Sequence, residues 1–292
     1  MTITIDAIQS GFAASVSGLD LRRPLSDADI AEIRAAIHTY AVLVFRDQVL
    51  SDDQQQQFTL AFGPFEDKRG GHVVLPEDDR LSPAMNDISN LAKDNTVLPR
   101  DSRQRLFNLG NRLWHSDSSY RAVPAKYSLL SGREVPGEGG NTEFADMRAA
   151  YQALDADTQS ELENLVCEHS LMYSRGVLGF VVTEDEKEMF RPVRQRLVRT
   201  HPATGRKSIY LSAHAGTIID WPLAEARIFL LELMEDATQR SFVYSHVWHK
   251  HDLVMWDNRC TMHRARPFDE QQVRDLRRTT VAGDEMTVNR AV

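Results

Sequence analysis

The chain has 292 residues, 42% hydrophobic and 26% charged, with a formal net charge of -8. That is an ordinary globular composition, long enough for a full core, and its acidic balance excludes the concentrated basic surface that nucleic acid demands. Two cysteines, Cys167 and Cys260, without C-x-x-C spacing, exclude a disulfide framework or a zinc ribbon and read as buried thiols in a reducing cytoplasm. Residues 1–20 carry no Lys or Arg and no sustained apolar stretch, and the apolar run at 41–45 falls far short of a membrane span. A cytoplasmic protein without membrane contact is expected.

In chain order, Ile3, Ile5 and Ile8 and then residues 12–16 read as short strands punctuated by Gly11 and Gly18. Ser26 caps a helix whose Ile30, Ile33, Ile37 and Tyr40 recur at helical spacing, with Asp27 and Asp29 in the first turn, where the helix dipole favours acids. Residues 41–45 form a buried strand. Ser51 caps a second helix that carries Phe58, Leu60 and Phe62 and stops at Gly63-Pro64. Periodicity then fades over 64–112, a stretch long enough to predict an active-site lid.

Strands are expected at 127–130 and 142–144, helices at 147–154 and 157–166, and a polar insert at 176–194. Strands follow near 197–200 and 209–211. Pro222 opens a last helix with Ala226, Phe229, Leu230 and Leu233 on one face. Further strands at 242–247, 253–256, 261–263 and 276–281 complete the pattern. Strands at both ends with helices outside them predict an α+β domain with surrounding helices on a β-sandwich or jelly-roll (double-stranded β-helix) core, one domain over 1–292.

The segment WHSDSS at 114–119 sets His115 two residues before Asp117. On an extended strand both side chains share one face, roughly 6 to 7 Å apart at Cα, suited to two ligands of one ion. Ten histidines give on the order of one H-x-D by chance, so the pair alone is weak. His263 supplies a third donor, on a strand returning from the turn at Asp257-Asn258. Two imidazoles and one carboxylate make the facial triad of non-haem Fe(II), which leaves positions open for cosubstrate and O2. Zinc accepts the same donors, so a zinc hydrolase stays open, as does a non-catalytic metal-binding module. Arg274 and Arg278 lie eleven and fifteen positions after His263. An i, i+4 pair on a strand faces one side about 13 Å apart, far enough to anchor two small carboxylates, whereas a zinc hydrolase needs no such pair.

The chain resembles the TauD/TfdA family of Fe(II)- and 2-oxoglutarate-dependent dioxygenases, most closely its 2,4-dichlorophenoxyacetate branch. The matching stretches are AVLVFRDQ (41–48), LWHSDSSY (113–120), GGNTEFADMRAAYQAL (139–154), HSLMYSR (169–175), LVRTHPATGRK (197–207), DLVMWDNRCTMHR (252–264) and RDLRRTTVAG (274–283). The resemblance implies iron ligation by His115, Asp117 and His263. It implies binding of 2-oxoglutarate by Thr142 and Arg274, with O2 as the second cosubstrate. Arg278 then holds the acidic group of the substrate, and Asn111, His201 and His214 line the substrate site. Within the lid, Lys68, Arg69 and His72 are candidate substrate contacts. The implied reaction hydroxylates a small carboxylate such as an aryloxyalkanoate and releases succinate and CO2. Taurine, alkylsulfonate or sulfate-ester oxidation is the alternative. A homo-oligomer is expected from the same resemblance.

Overall fold

The computed structural model describes residues 2–67 and 79–288. Its helices and strands begin where the sequence offers caps. Ser26 accepts from the Asp29 backbone while Asp29 returns the bond to the Ser26 backbone, a reciprocal box that starts the helix Asp27–Tyr40. Ala41, at φ 62, ends that helix in the left-handed region and turns the chain into the strand Val42–Phe45. Ser51 and Gln54 make the same box at the start of Asp52–Leu60.

Seven strands form the main sheet, in the order Thr4–Gln9, Ala13–Ser17, Val42–Phe45, Leu253–Asp257, Tyr127–Glu134, Asp275–Val281 and Asn86–Asp87. All pairings are antiparallel except that of Ala13–Ser17 with Val42–Phe45. Every residue of Val42–Phe45 and Leu253–Asp257 is buried, because both faces of the sheet are covered. On one face Leu43, Phe45, Leu129 and Met255 pack with Ile33, Ile37, Phe58 and Phe62 of the N-terminal helices. On the other, Val42, Val44, Val254 and Trp256 meet Phe144 and Tyr244 of a three-stranded sheet ordered Val243–His246, Thr142–Asp146, Thr261–Ala265. The space between these two sheets is where the chemistry-bearing residues converge.

A second three-stranded sheet, Ala215–Ile218, Val166–His169 and Val193–Arg196, and the long helix Leu223–Ala237 build the outer layer around Met147–Ala153. Here the sequence was a partial guide. The expected polar insert at 176–194 contains the helix Glu184–Met189, whose Thr183 cap and Glu186 form another reciprocal box, and it leads into the strand Val193–Arg196. The described parts of the expected lid, 64–67 and 79–112, contain a two-residue strand, Asn86–Asp87, and the helix Arg103–Asn108. Lys68, Arg69 and His72 lie outside the described residues. No helix among the described residues is long and apolar enough to cross a membrane.

Candidate active site

His115 and His263 form one antiparallel bridge, exchanging backbone bonds of 3.0 and 2.8 Å, which sets their rings 4.2 Å apart. The extended strand expected to carry both His115 and Asp117 is corrected here: pairing is confined to His115, and the chain turns from Asp117, with Ser118 at φ 57. Side chains hold that turn. Ser116 Oγ donates to the Thr261 carbonyl at 2.7 Å, and Asn258 Oδ1 accepts the Asp117 N–H at 3.2 Å. The turn brings the carboxylate back toward both rings, so that one ligand atom each of His115, Asp117 and His263 lies within 4.8 Å of the others.

The donor set fits one cation. His115 Nδ1 lies 2.8 Å from the Leu113 carbonyl, an acceptor only, so Nδ1 carries the proton and the Nε2 lone pair is left facing Asp117 at 3.9 Å. His263 Nε2 faces the same carboxylate at 3.8 Å. Burial pushes both imidazoles below their ordinary pKa, more than Asp117 restores at His115, and His115 adds to the effect at His263. Both therefore present lone pairs. Burial works to raise the Asp117 pKa, but Arg278 and the two rings outweigh it and hold the acid down at about 2. Its Oδ2 accepts from Ser128 Oγ at 2.7 Å, Ser128 accepts from Asn258 at 2.9 Å, and Oδ1 pairs with Arg278. Two neutral imidazoles and an oriented carboxylate are what a divalent transition metal requires.

Two cavities meet at His115. The smaller, about 340 Å³, contains Thr142, His263, Arg274 and Arg278 with Leu130 and Trp256. Arg274 is buried, and its guanidinium donates to the carbonyls of Ile88 at 3.3 Å and Gly140 at 3.2 Å. Its Nε has no partner, and no carboxylate pairs with it, among the described residues. Burial, with repulsion from Arg112, lowers its pKa to about 10, so the group is still cationic at neutral pH and its charge awaits an anion. Thr142 Oγ1 accepts from Trp248 Nε1 at 3.0 Å, which leaves its hydroxyl proton free to be donated.

The larger cavity, about 700 Å³ with its open mouth, lies on the other side of His115 and Asp117 and is walled by Glu66, Phe107, Asn111, Tyr120, Leu171, Arg175 and His214. Asn111, from the short 3-10 turn Leu109–Arg112, lines both cavities. His214 lines this larger cavity, its ring 6.1 Å from His115 and its Nδ1 2.9 Å from Ser174 Oγ. His201 does not. It lines neither cavity, its Nε2 lies 3.0 Å from Asp257, and its ring packs edge-on against His38. The buried Asp257 also takes Arg259, so His201 belongs to a polar cluster behind the central strand. Ser128, Asn258, Trp248 and Arg175 escaped sequence reasoning. Asn258 and Arg175 sit inside the quoted stretches DLVMWDNRCTMHR and HSLMYSR, which was the available signal.

Residues 4–280 match the model of the family described as Taurine catabolism dioxygenase TauD, TfdA family. The chain belongs to the TauD/TfdA family. As one of its members, it is a non-haem Fe(II)- and 2-oxoglutarate-dependent dioxygenase that uses O2. It is similar to the alpha-ketoglutarate-dependent 2,4-dichlorophenoxyacetate dioxygenase of Cupriavidus pinatubonensis, with 46% identity over 97% of this chain and 99% of that one. It is 38% identical to the (S)-phenoxypropionate/alpha-ketoglutarate-dioxygenase of Sphingobium herbicidovorans, over 96% of this chain and 95% of the relative. The crystal structure of AAD-2 in complex with Mn(II) and N-oxalylglycine superposes with a TM-score of 0.96 at 60% identity, covering 99% of this chain and 100% of AAD-2. In this TauD/TfdA member the cluster of His115, Asp117 and His263, the buried Arg274 and the larger cavity therefore adjoin one another.

Proposed function

We propose that this TauD/TfdA dioxygenase cleaves aryloxyalkanoates, compounds like 2,4-dichlorophenoxyacetate. In this reading His115, Asp117 and His263 hold Fe(II), and Arg274 with Thr142 takes the distal carboxylate of 2-oxoglutarate in the smaller cavity. The observation that carries it is a buried guanidinium without a carboxylate partner among the described residues, one small cavity away from two neutral imidazoles and a carboxylate. The likeness to relatives named for phenoxy acids supports the substrate class.

Each residue has a mechanical task. Arg274 offers a planar fork for a carboxylate, and Thr142, its oxygen already engaged by Trp248, donates its proton to the same group. Together they give the cosubstrate one orientation, which converts loose collision into a positioned reaction. Ser128 and Arg278 keep Asp117 ionised and aimed. Bound Fe(II), with 2-oxoglutarate and O2, supplies the oxidising power to replace a C–H bond by C–OH. The larger cavity holds the substrate with the carbon between its ether oxygen and its carboxylate nearest His115 and Asp117. Hydroxylation there makes a hemiacetal. Its C–O bond breaks to give a phenol and a 2-oxo acid, while 2-oxoglutarate leaves as succinate and CO2.

The same reading makes the seven-stranded sheet and the sheet Val243–His246, Thr142–Asp146, Thr261–Ala265 the two faces of a double-stranded β-helix within one domain over 1–292. It places a lid within 64–112, a homo-oligomer and a cytoplasmic location with it. The test is product stoichiometry under Fe(II), 2-oxoglutarate and O2. One succinate per phenol from phenoxyacetate or 2,4-dichlorophenoxyacetate is expected; coupled turnover with taurine alone would overturn the substrate assignment.

A further inference from the structure

Three arginines line the larger cavity, and their partners differ. Arg278 is engaged by Asp117, and Arg121 faces Glu66 at 3.8 Å. Arg175 has no carboxylate partner among the described residues. It is only 5% exposed, its Nη1 donates to Ser174 Oγ at 3.1 Å, and its Nε has no hydrogen bond. Ser174 is an uncharged acceptor and cannot neutralise it; its hydroxyl also donates to the Leu171 carbonyl at 2.7 Å and meets His214 Nδ1. Burial lowers the guanidinium pKa to about 10, with Tyr120 the nearby group that works against this, so it too remains cationic at neutral pH. A buried charge with one neutral acceptor carries an unrecovered desolvation cost unless a ligand completes it.

The placement is built rather than incidental. Arg175 lies in the last turn of the helix Leu171–Val177, and its guanidinium lies 4.5 Å over the Phe107 ring. Gly110 leaves the room it needs: a Cβ there would come within 2.1 Å of the guanidinium. An aromatic floor and a cleared backbone hold a planar cation in one pose at the cavity wall. An aryloxyalkanoate bears its carboxylate on the very carbon to be oxidised, so its anchor must line the same cavity as metal donors. Arg175, His115 and Asp117 do share it.

We propose that Arg175, rather than Arg278 alone, binds the substrate carboxylate and sets the preference for anionic substrates. This rests on the aryloxyalkanoate reading above. Arg278 then serves chiefly to hold Asp117 ionised, and the substrate's aromatic ring lies toward Phe107 and Leu171.

The experiment is anaerobic titration of phenoxyacetate and its neutral amide, phenoxyacetamide, into protein loaded with Fe(II) and 2-oxoglutarate, for wild type, Arg175→Gln, Arg175→Lys and Gly110→Ala. The visible absorption of the loaded protein reports that the cosubstrate site is intact, and calorimetry reports affinity. Losing a buried charge-assisted contact should weaken phenoxyacetate about 10- to 100-fold in Arg175→Gln and leave the amide within about twofold. Arg175→Lys should recover part of the loss. Gly110→Ala, which keeps the charge but pushes it aside, should reproduce the loss in direction. Phenoxyacetate binding within about twofold of wild type in an Arg175→Gln protein whose absorption is unchanged overturns the assignment and leaves the substrate reading standing. If wild type itself fails to bind phenoxyacetate, both fall together.

Discussion

The two cavities that meet at His115 are built to different degrees of finish. The smaller is set between the two facing sheets: Thr142 and Ala265 come from adjacent strands of one sheet, Leu130 and Arg278 from paired strands of the other, and Arg274 is clamped by two backbone carbonyls. Trp248, which fixes Thr142, is itself packed edge-on against His246, and His246 is held by the buried Asp252. The larger cavity takes most of its walls from loops and short helices, including Glu66, Tyr120, the helix Arg103–Asn108 and the helix Leu171–Val177. A pocket framed by strands and locked by buried partners tolerates little change, whereas one walled by loops can be reshaped without disturbing the fold. The difference teaches which half of the site is fixed: the smaller cavity belongs to the scaffold, and the larger chiefly to its connections and short helices.

Asp117 lines the larger cavity and completes the donor set with His115 and His263 of the smaller, so its loss should disable both cavities at once. Asp117→Ala removes one of three donors and leaves Arg278 facing the two imidazoles without its counter-charge. Turnover should fall by about 10³-fold or more, and equilibrium dialysis should show Fe(II) retention lost at micromolar metal. A variant that keeps stoichiometric iron would break the idea that the boundary is a single metal centre.

Arg274→Gln sharpens the division instead. On the function proposed above, the smaller cavity loses the cation that pairs with the cosubstrate, while the walls of the larger cavity are untouched. The KM for 2-oxoglutarate should rise about 10- to 100-fold, with the KM for phenoxyacetate at saturating cosubstrate moving less than about twofold. Equal rises in both constants would mean that the cavities are energetically one.

Legibility in the sequence follows the same division. The caps at Ser26 and Ser51, the run at 41–45 and the strands that carry His263 and Arg278 were readable because each is a local rule: a short polar side chain before a helical period, or an unbroken apolar run between turns. His115, Asp117, His263 and Arg274 were singled out through spacings on such elements and through the resemblance, and the fold brings them to adjoining positions. What failed was information that exists only after folding. His201 sits in a matched stretch, yet it points to Asp257, a partner 56 positions away. Arg175 looked like any basic residue in HSLMYSR, because the lack of a carboxylate near it is a property of the assembled pocket. The strand Val193–Arg196 alternates partly exposed and buried positions too briefly for periodicity to register, and its pairing with Val166–His169 supplies what its own residues do not.

His201 offers the smallest and most discriminating effect, because it belongs to neither cavity. Its Nε2 is 3.0 Å from Asp257 Oδ2, and Asp257 also accepts from Arg259 Nε at 2.9 Å and Nη2 at 2.6 Å. Burial would raise the pKa of that acid, but Arg259 foremost, with His201, holds it well below the ordinary carboxylate range. Removing the imidazole therefore leaves the carboxylate charged and still paired, short of one bond. His201→Phe should cost about 1 to 3 kcal/mol of stability, the range for stranding one side of a buried bond to a charged group, and lower the denaturant midpoint accordingly. The KM values for 2-oxoglutarate and phenoxyacetate should both stay within about twofold of wild type, since the cluster lies behind the strand Leu253–Asp257 and lines neither pocket. Asp257 begins the turn that leads through Asn258 to His263, so a shift there could reach Asp117 through the Asn258 bond to its backbone. A tenfold change in Fe(II) affinity with unchanged stability would reveal that route and move His201 from the scaffold to the site.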